Sequence, residues 1–382
     1  MKADYIIRGG RLFDPDKKID FVGDLAVRSG KIIKIDKEIS EDSGHVLDAS
    51  GCLVLPGLID IHAHIYEDGV WNGMPADLAG IPLGVTAFLD AGSSGVSNYR
   101  DLLNKCRTNR THCRIMLNVS ACGIIMPLQF SEPIDPALWN IALFDEAFRE
   151  NGEMITGLKL RMNKAVVKDL GLEPLKKTVE LAERYGVRVI VHVTDAAVSM
   201  SELADCLRTG DVFCHVFHGT GNTILAPDGT IEEGIMRARE RGVLFDVGSG
   251  RGNFSLAVAK QALSQGFLPD TISSDVTLQN WNNPIAGNLI YIMSKFLALG
   301  MSLEDVVSRV TSAPAKQFGI QGLGTLAEGT PADLSILKLE DKPQSFADKF
   351  GTVVNGKQLF VPKATMIGGQ LLYRSADTQL LA

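Results

Sequence analysis

Residues 53–64 read L-V-L-P-G-L-I-D-I-H-A-H. An apolar run passes through Pro56 and Gly57 into a strand whose alternate positions, Asp60, His62 and His64, point to one side, because strand side chains repeat every two residues. Two imidazoles therefore converge on one point. Neutral imidazole nitrogen is a good ligand for zinc and its neighbours, and a rigid strand end holds two of them at little ordering cost. Taken alone, H-x-H also fits a pair of hydrogen-bonded strand histidines. A metal is implied only if other segments bring further ligands.

Outward from this stretch, apolar β-branched runs alternate with helical segments. Eight such runs occur: 53–64, V-T-A-F-L-D-A-G (85–92), C-R-I-M-L-N-V-S (113–120), I-T-G-L-K-L-R-M (155–162), V-R-V-I-V-H-V-T (187–194), V-F-C-H-V-F-H-G (212–219), V-L-F-D-V-G-S-G (243–250) and T-I-S-S-D-V-T (271–277). Near-continuous apolar strands separated by helices make a parallel sheet covered on its faces. Eight of them over about 265 residues predict a (β/α)8 TIM barrel. The intervening segments agree: E-P-L-K-K-T-V-E-L-A-E-R-Y-G sets Leu175, Val179 and Ala182 on one helix face and stops at Gly186. Ser302 with Asp305 reads as a capping box.

Both ends of the chain read differently. Residues 1–54 and 322–382 are short strands punctuated by turn signals such as Gly9-Gly10 and Ser29-Gly30. Neither end has enough strands to stand alone, so the two are expected to pair into one small β-sandwich. The fold class is therefore α/β, with a barrel domain at 55–321 inserted between the sandwich halves at 1–54 and 322–382.

Composition narrows the function. The 382 residues carry a formal net charge of -7 and no block of Lys and Arg, which argues against a nucleic acid partner. The N-terminus, M-K-A-D-Y-I-I-R-G-G, suits neither a secretory signal nor a membrane anchor, so a cytoplasmic location with no membrane partner is expected. Six cysteines form no C-x-x-C pair and no disulfide spacing, and read as reduced, packed residues. Cys214, beside His215, is assigned to packing because strand neighbours point to opposite faces. A homo-oligomer is left open.

Active sites of such barrels lie at the C-terminal ends of the strands. His62 and His64 end the first strand, Lys159 lies on the fourth, His192 ends the fifth, His215 the sixth and Asp275 the eighth. Four of only seven histidines at strand ends, joined by an aspartate, point to a metal site.

At these residues the chain resembles the amidohydrolase superfamily of binuclear metal hydrolases. The resemblance is carried by P-G-L-I-D-I-H-A-H (56–64), G-L-K-L-R-M (157–162), V-H-V-T (191–194), C-H-V-F-H-G (214–219), S-S-D-V-T (273–277) and G-T-L-A-E-G-T-P-A-D-L (324–334). D-A-G-S-S-G (90–95) and F-D-V-G-S-G (245–250) are similar to its deacetylase branch, often labelled dihydroorotase-like or adenine-deaminase-like. The resemblance implies two divalent ions, zinc or alternatively manganese. His62 and His64 with Asp275 would hold the more buried ion, and His192 and His215 the more exposed one. Lys159, carboxylated by carbon dioxide, would bridge both together with a hydroxide, and Asp275 would act as general base and then general acid.

For the substrate, a small molecule carrying a carboxylate, Arg161 and Arg251 are candidate bidentate contacts, with surface ion pairs as the alternative. Ser94 is a candidate contact to the acyl group, or a plain turn residue. His218 stands where the branch has asparagine, and either lines the substrate pocket or caps a loop. By resemblance the preferred reaction is deacetylation of N-acetyl amino acids, D in particular, or of O-acetyl 2-hydroxy acids. The alternatives are a cyclic amidohydrolase of the dihydroorotase or hydantoinase kind, an adenine deaminase, and a non-catalytic barrel acting as a binding module.

Overall fold

The computed structural model describes residues 2–40, 42–126 and 132–381. The N-terminal strands are β1 (Ala3–Asp14), β2 (Ile19–Arg28), β3 (Lys31–Asp36), β4 (Ser43–Asp48) and β5 (Leu53–Pro56). They are followed by β6 (Leu58–Ala63), β7 (Val85–Gly95), β8 (His112–Asn118), β9 (Ile155–Arg161), β10 (Arg188–His192), β11 (Val212–Cys214) and β12 (Leu244–Asp246). The C-terminal strands are β13 (Leu334–Ala347), β14 (Val353–Ile367), β15 (Gln370–Arg374) and β16 (Leu380–Leu381).

Strands β6 to β12 lie side by side in chain order, all parallel. The eighth run is too irregular to be a full strand, yet it closes the ring. Thr271 and Ser273 accept from Val247 and Ser249 on one side, while Asp275 N donates to His62 O at 2.7 Å on the other. A parallel bridge joins Ala63 to Val276. The barrel is thus complete, as the eight apolar runs predict.

Helices outside the ring bury their apolar stripes against it, as alternating strands and helices require. The helix Glu173–Tyr185 buries Leu175, Val179 and Ala182 and ends at Gly186, whose φ is 63°. The helix Leu303–Ser308 is capped by Ser302, whose hydroxyl accepts from Asp305 N at 3.0 Å and donates to the Asp305 carboxylate at 2.7 Å. Phe88, Phe144, Phe213, Phe217, Phe245 and Phe296 fill the layer between ring and helices. Each buried side chain of this size stabilises the fold by roughly 1.5–3 kcal/mol.

The chain ends pair in one sheet of nine strands. Its path is β15-β14-β13-β5-β1-β2-β3, with β4 on β1 and β16 on β4. β5, from the N-terminal end, lies antiparallel to β13, from the C-terminal end, and this pairing ties the two segments together. One edge of β1 serves two partners: Ala3 to Arg8 pair with β4, while Arg11 and Leu12 pair with β5. The sheet divides there and encloses a core of Ile7, Leu12, Leu25, Val54, Leu334, Ile336 and Met366.

The opening stretch, read above as a single strand, is divided between the two units. Leu53–Pro56 belongs to the end sheet and Leu58–Ala63 to the barrel, with Gly57 N donating to Asp333 O at 2.8 Å at the junction. Pro56 has no N–H to continue a ladder, which suits a strand end.

Ile336 is fully buried at this seam while Lys338 is exposed. Ile336→Ala is expected to lower stability by about 2–5 kcal/mol and Lys338→Ala by less than about 0.5 kcal/mol, read from urea unfolding midpoints.

Candidate metal centre

The C-terminal mouth of the barrel collects the ligand-type side chains. The donor atoms of His62, His64 and Asp275 all lie within 4.8 Å of one another. Asp275 Oδ1 is 3.3 Å from His64 Nε2 and 3.6 Å from His62 Nε2. Lys159 Nζ sits 3.3 Å from His62 Nε2. On the far side the rings of His192 and His215 meet edge to face with centroids 4.4 Å apart, and His215 is 4.9 Å from His62. All six side chains predicted from strand ends therefore face one cavity. Asp60, expected on the same face, does not line the cavity: the strand is irregular between Asp60 and Ala63, and the Asp60 carboxylate accepts from Ser274 N at 3.0 Å. Burial raises its pKa to about 7 despite those hydrogen bonds.

Local backbone geometry makes this convergence possible. His215 (φ 66°) and Asp275 (φ 55°) both adopt left-handed conformations, uncommon for residues with a Cβ. The twist at His215 turns its ring inward beside Cys214 instead of away from it. Cys214 packs in the barrel interior as expected, but it does not point away from the site: its Sγ lies 2.8 Å from His62 Nδ1 and donates to Asp246 at 3.2 Å. Strand alternation fails there because the chain leaves the extended conformation one residue later.

Two glycines are required sterically. A Cβ on Gly92 (φ 81°) would meet the Cγ of Lys159 at 2.5 Å. A Cβ on Gly248 (φ 46°) would stand 2.6 Å from His215 Nδ1 and 2.7 Å from Cys214 Sγ. Gly248 O in turn accepts from His215 Nδ1 at 2.7 Å and fixes its tautomer. The D-A-G-S-S-G and F-D-V-G-S-G segments are thus backbone supports for the lysine and for His215.

Further residues orient the six, and the sequence alone did not single them out. Ser93 Oγ lies 2.9 Å from His64 Nδ1. Asp246, held by Thr271 at 2.7 Å and by Ser273, stands 3.5 Å from His62 Nδ1. Asn253 Nδ2 donates to Asp275 Oδ2 at 2.9 Å. Among the substrate candidates, Arg161 lines the cavity and is paired with Glu132. Ser94, His218 and Arg251 are not among the described residues that line it. Ser94 is buried, and Ser93, in alternation with Ala91 of the cavity wall, reaches His64 instead. Arg251 lies in an exposed loop, and Asn253, two residues on, reaches the site instead. His218 caps its loop by donating to Thr220 O at 3.1 Å.

Electrostatics prepare the site for cations. Burial pushes the Lys159 amine below its ordinary pKa, which favours the neutral nucleophilic form. Burial lowers His62, and lowers His192 and His215 further, so these three imidazoles are neutral donors at pH 7. Burial alone would raise Asp275, but the hydrogen bond from His64 and the closeness of the His62 and His215 rings favour its charged form and hold it well below the usual carboxylate range. Four imidazoles, a carboxylate and a buried neutral amine make a donor set that suits divalent ions of the zinc class. A larger hollow, about 630 Å³, opens at the opposite end of the strands between Arg188, Arg208 and Lys316 and carries none of these histidines.

Comparison with known proteins agrees with this geometry. Residues 53–372 match the amidohydrolase family. A protein of Enterococcus faecalis named deacetylase is 30% identical over 352 residues, spanning 91% of this chain and 94% of its own. A crystal structure of an adenine deaminase, 28% identical, superposes with a TM-score of 0.90 over 98% of this chain and 100% of that one. One of a dihydroorotase, also 28% identical, gives 0.88 over 97% and 98%. With the match spanning most of its length and the donors gathered where a barrel enzyme carries its chemistry, the chain belongs to the amidohydrolase family of hydrolytic enzymes that act on carbon–nitrogen bonds.

Proposed function

We propose that this enzyme is a binuclear metal hydrolase that removes an acetyl group from N-acetyl amino acids, D in particular, or from O-acetyl 2-hydroxy acids. The observation that carries the reading is a buried Lys159, its amine pushed below the ordinary lysine range by burial, set among four imidazoles and Asp275 beside a narrow cavity of about 160 Å³. That space suits a small acyl group. The deacetylase name of the Enterococcus faecalis relative supports the same choice.

His62, His64 and Asp275 would hold an inner ion, and His192 and His215 an outer one. Lys159, whose amine burial pushes towards the neutral form, would take up carbon dioxide as a carbamate, an anionic ligand suited to such ions. When bound, the two divalent ions, zinc or manganese, supply an acidified water and a Lewis acid for the carbonyl. Asp275 takes the proton of the attacking water and returns it to the leaving nitrogen or oxygen, as base and then acid. Asn253 steadies the carboxylate oxygen that does this. Arg161 is the arginine on the cavity wall, and a carboxylate on the substrate would meet it there.

A second reading is hydrolysis of a cyclic amide, favoured by the full-length likeness to a dihydroorotase structure. His218 bonds Thr220 O through Nδ1 and is not among the described residues that line the cavity, so neither choice rests on it.

With zinc or manganese bound, the enzyme is expected to release acetate from N-acetyl-D-amino acids or an O-acetyl 2-hydroxy acid. Turnover of dihydroorotate or adenine alone, measured on the same preparation, would overturn the deacetylase reading. Asp275→Asn is expected to lower kcat by about 10²–10⁴-fold, read from initial rates at saturating substrate. Burial lowers His218 to about 4. Its folded pKa thus lies below the unfolded value of about 6.5, so the unfolded chain binds the extra proton and stability falls as pH drops from about 6.5 to 4. His218→Asn is expected to remove up to about 3 kcal/mol of that fall, seen as a flatter plot of urea midpoint against pH.

A further inference from the structure

Arg161 is the arginine of the cavity wall, and it is already occupied. Its Nε donates to Glu132 Oε2 at 2.5 Å, and its Nη2 donates to the same oxygen. The other carboxylate oxygen, Oε1, accepts from Asn118 Nδ2 at 3.0 Å, and Asn118 also donates to Gly92 O at 3.1 Å. Asn118 itself pairs in register with Lys159 on the neighbouring strand, so Glu132 is anchored to the frame of the site. The pair is shielded: the Glu132 side chain is 4% exposed and that of Arg161 16%. A charge-assisted bond of this kind in a desolvated wall is stronger than its surface equivalent.

One edge of the guanidinium, Nε and Nη2, is therefore filled by a carboxylate of the protein. We propose that Glu132 is a specificity-determining residue, an internal competitor that makes a substrate's carboxylate displace it from Arg161 and so holds down affinity for free acids relative to neutral analogues. This rests on the reading above that the substrate's carbonyl enters this cavity. Charge on the substrate is thereby filtered by an acidic residue on the loop after β8, outside every strand.

The test uses the full-length, zinc-loaded protein and a pair of analogues that cannot be hydrolysed. These are the methyl-ketone isostere of N-acetylphenylalanine, in which CH2 replaces the amide NH, and its primary carboxamide, both as racemates. Calorimetric Kd values give the ratio of carboxamide to acid. Glu132→Gln is expected to raise that ratio at least fivefold, and to leave it within twofold of its own background when Arg161→Gln is already present. A ratio within twofold of wild type in Glu132→Gln, or an equal rise in the Arg161→Gln background, overturns the proposal. Should Glu132→Gln not fold, Glu132→Asp, whose carboxylate stops one methylene short of Arg161, carries the same test. A rise of twofold or more supports the proposal, and an unchanged ratio overturns it. Acetate release from N-acetyl-D-phenylalanine by the same wild-type preparation is measured alongside. No release with a shifted ratio sinks the deacetylase reading and keeps the role of Glu132; release with an unshifted ratio does the reverse.

Discussion

Burying the amine of Lys159 among strand-end imidazoles is the constraint on which the rest of the site depends. A lysine head group 2% exposed inside a barrel is costly as a cation and affordable only if it sheds its proton or gains a partner. The surroundings favour the first: burial lowers its pKa, and its nearest neighbour is an imidazole nitrogen and not a carboxylate. The glycine at 92 exists so that the stem of this lysine can pass. Asn118, in register with it, ties the adjacent strand to Gly92 and to Glu132.

Beneath that layer, a second set of polar groups fixes the imidazoles from below. Cys214 and Asp246 stand at His62 Nδ1, Ser93 at His64 Nδ1 and Gly248 O at His215 Nδ1, so each ring presents its Nε2 to the mouth. Asp246 in turn is held by Thr271 and Ser273 of the irregular eighth segment. The hydrogen bonds that close the ring and those that orient the rings are therefore one network. The left-handed turns at His215 and Asp275 belong to it as well, since they aim two side chains inward at the cost of local strain.

The barrel and its six inward side chains were legible because both follow from strong periodic signals: apolar runs at strand spacing, and ligand-type residues at their C-terminal ends. What escaped was whatever depends on contact across strands. Ser93, Asn118, Asp246 and Asn253 are ordinary residue types, and the lateral register that brings them to a histidine or to Asp275 leaves no mark in a single strand's alternation. Cys214 does not point away from the site because alternation holds only while the chain stays extended, and left-handed His215 ends it; residues 90–95 read as a turn, whereas the strand runs on to Gly95 and Ser93 keeps the inward parity of Ala91. Glu132 lies on a loop, where no period applies. The division of residues 53–64 between two sheets was hidden for a related reason: Pro56-Gly57 joins two apolar strands whose partners are distant in sequence, β13 for one and β7 for the other.

The central claim, that two cations flank a carboxylated Lys159, is tested most directly by a crystal structure of the zinc-loaded protein with anomalous data collected at the zinc edge. The account predicts two anomalous peaks, one beside His62, His64 and Asp275 and one beside His192 and His215, with density for a carbamate extending from the Lys159 amine between them. A bare amine at Lys159 with no anomalous peak within reach of these histidines would contradict it.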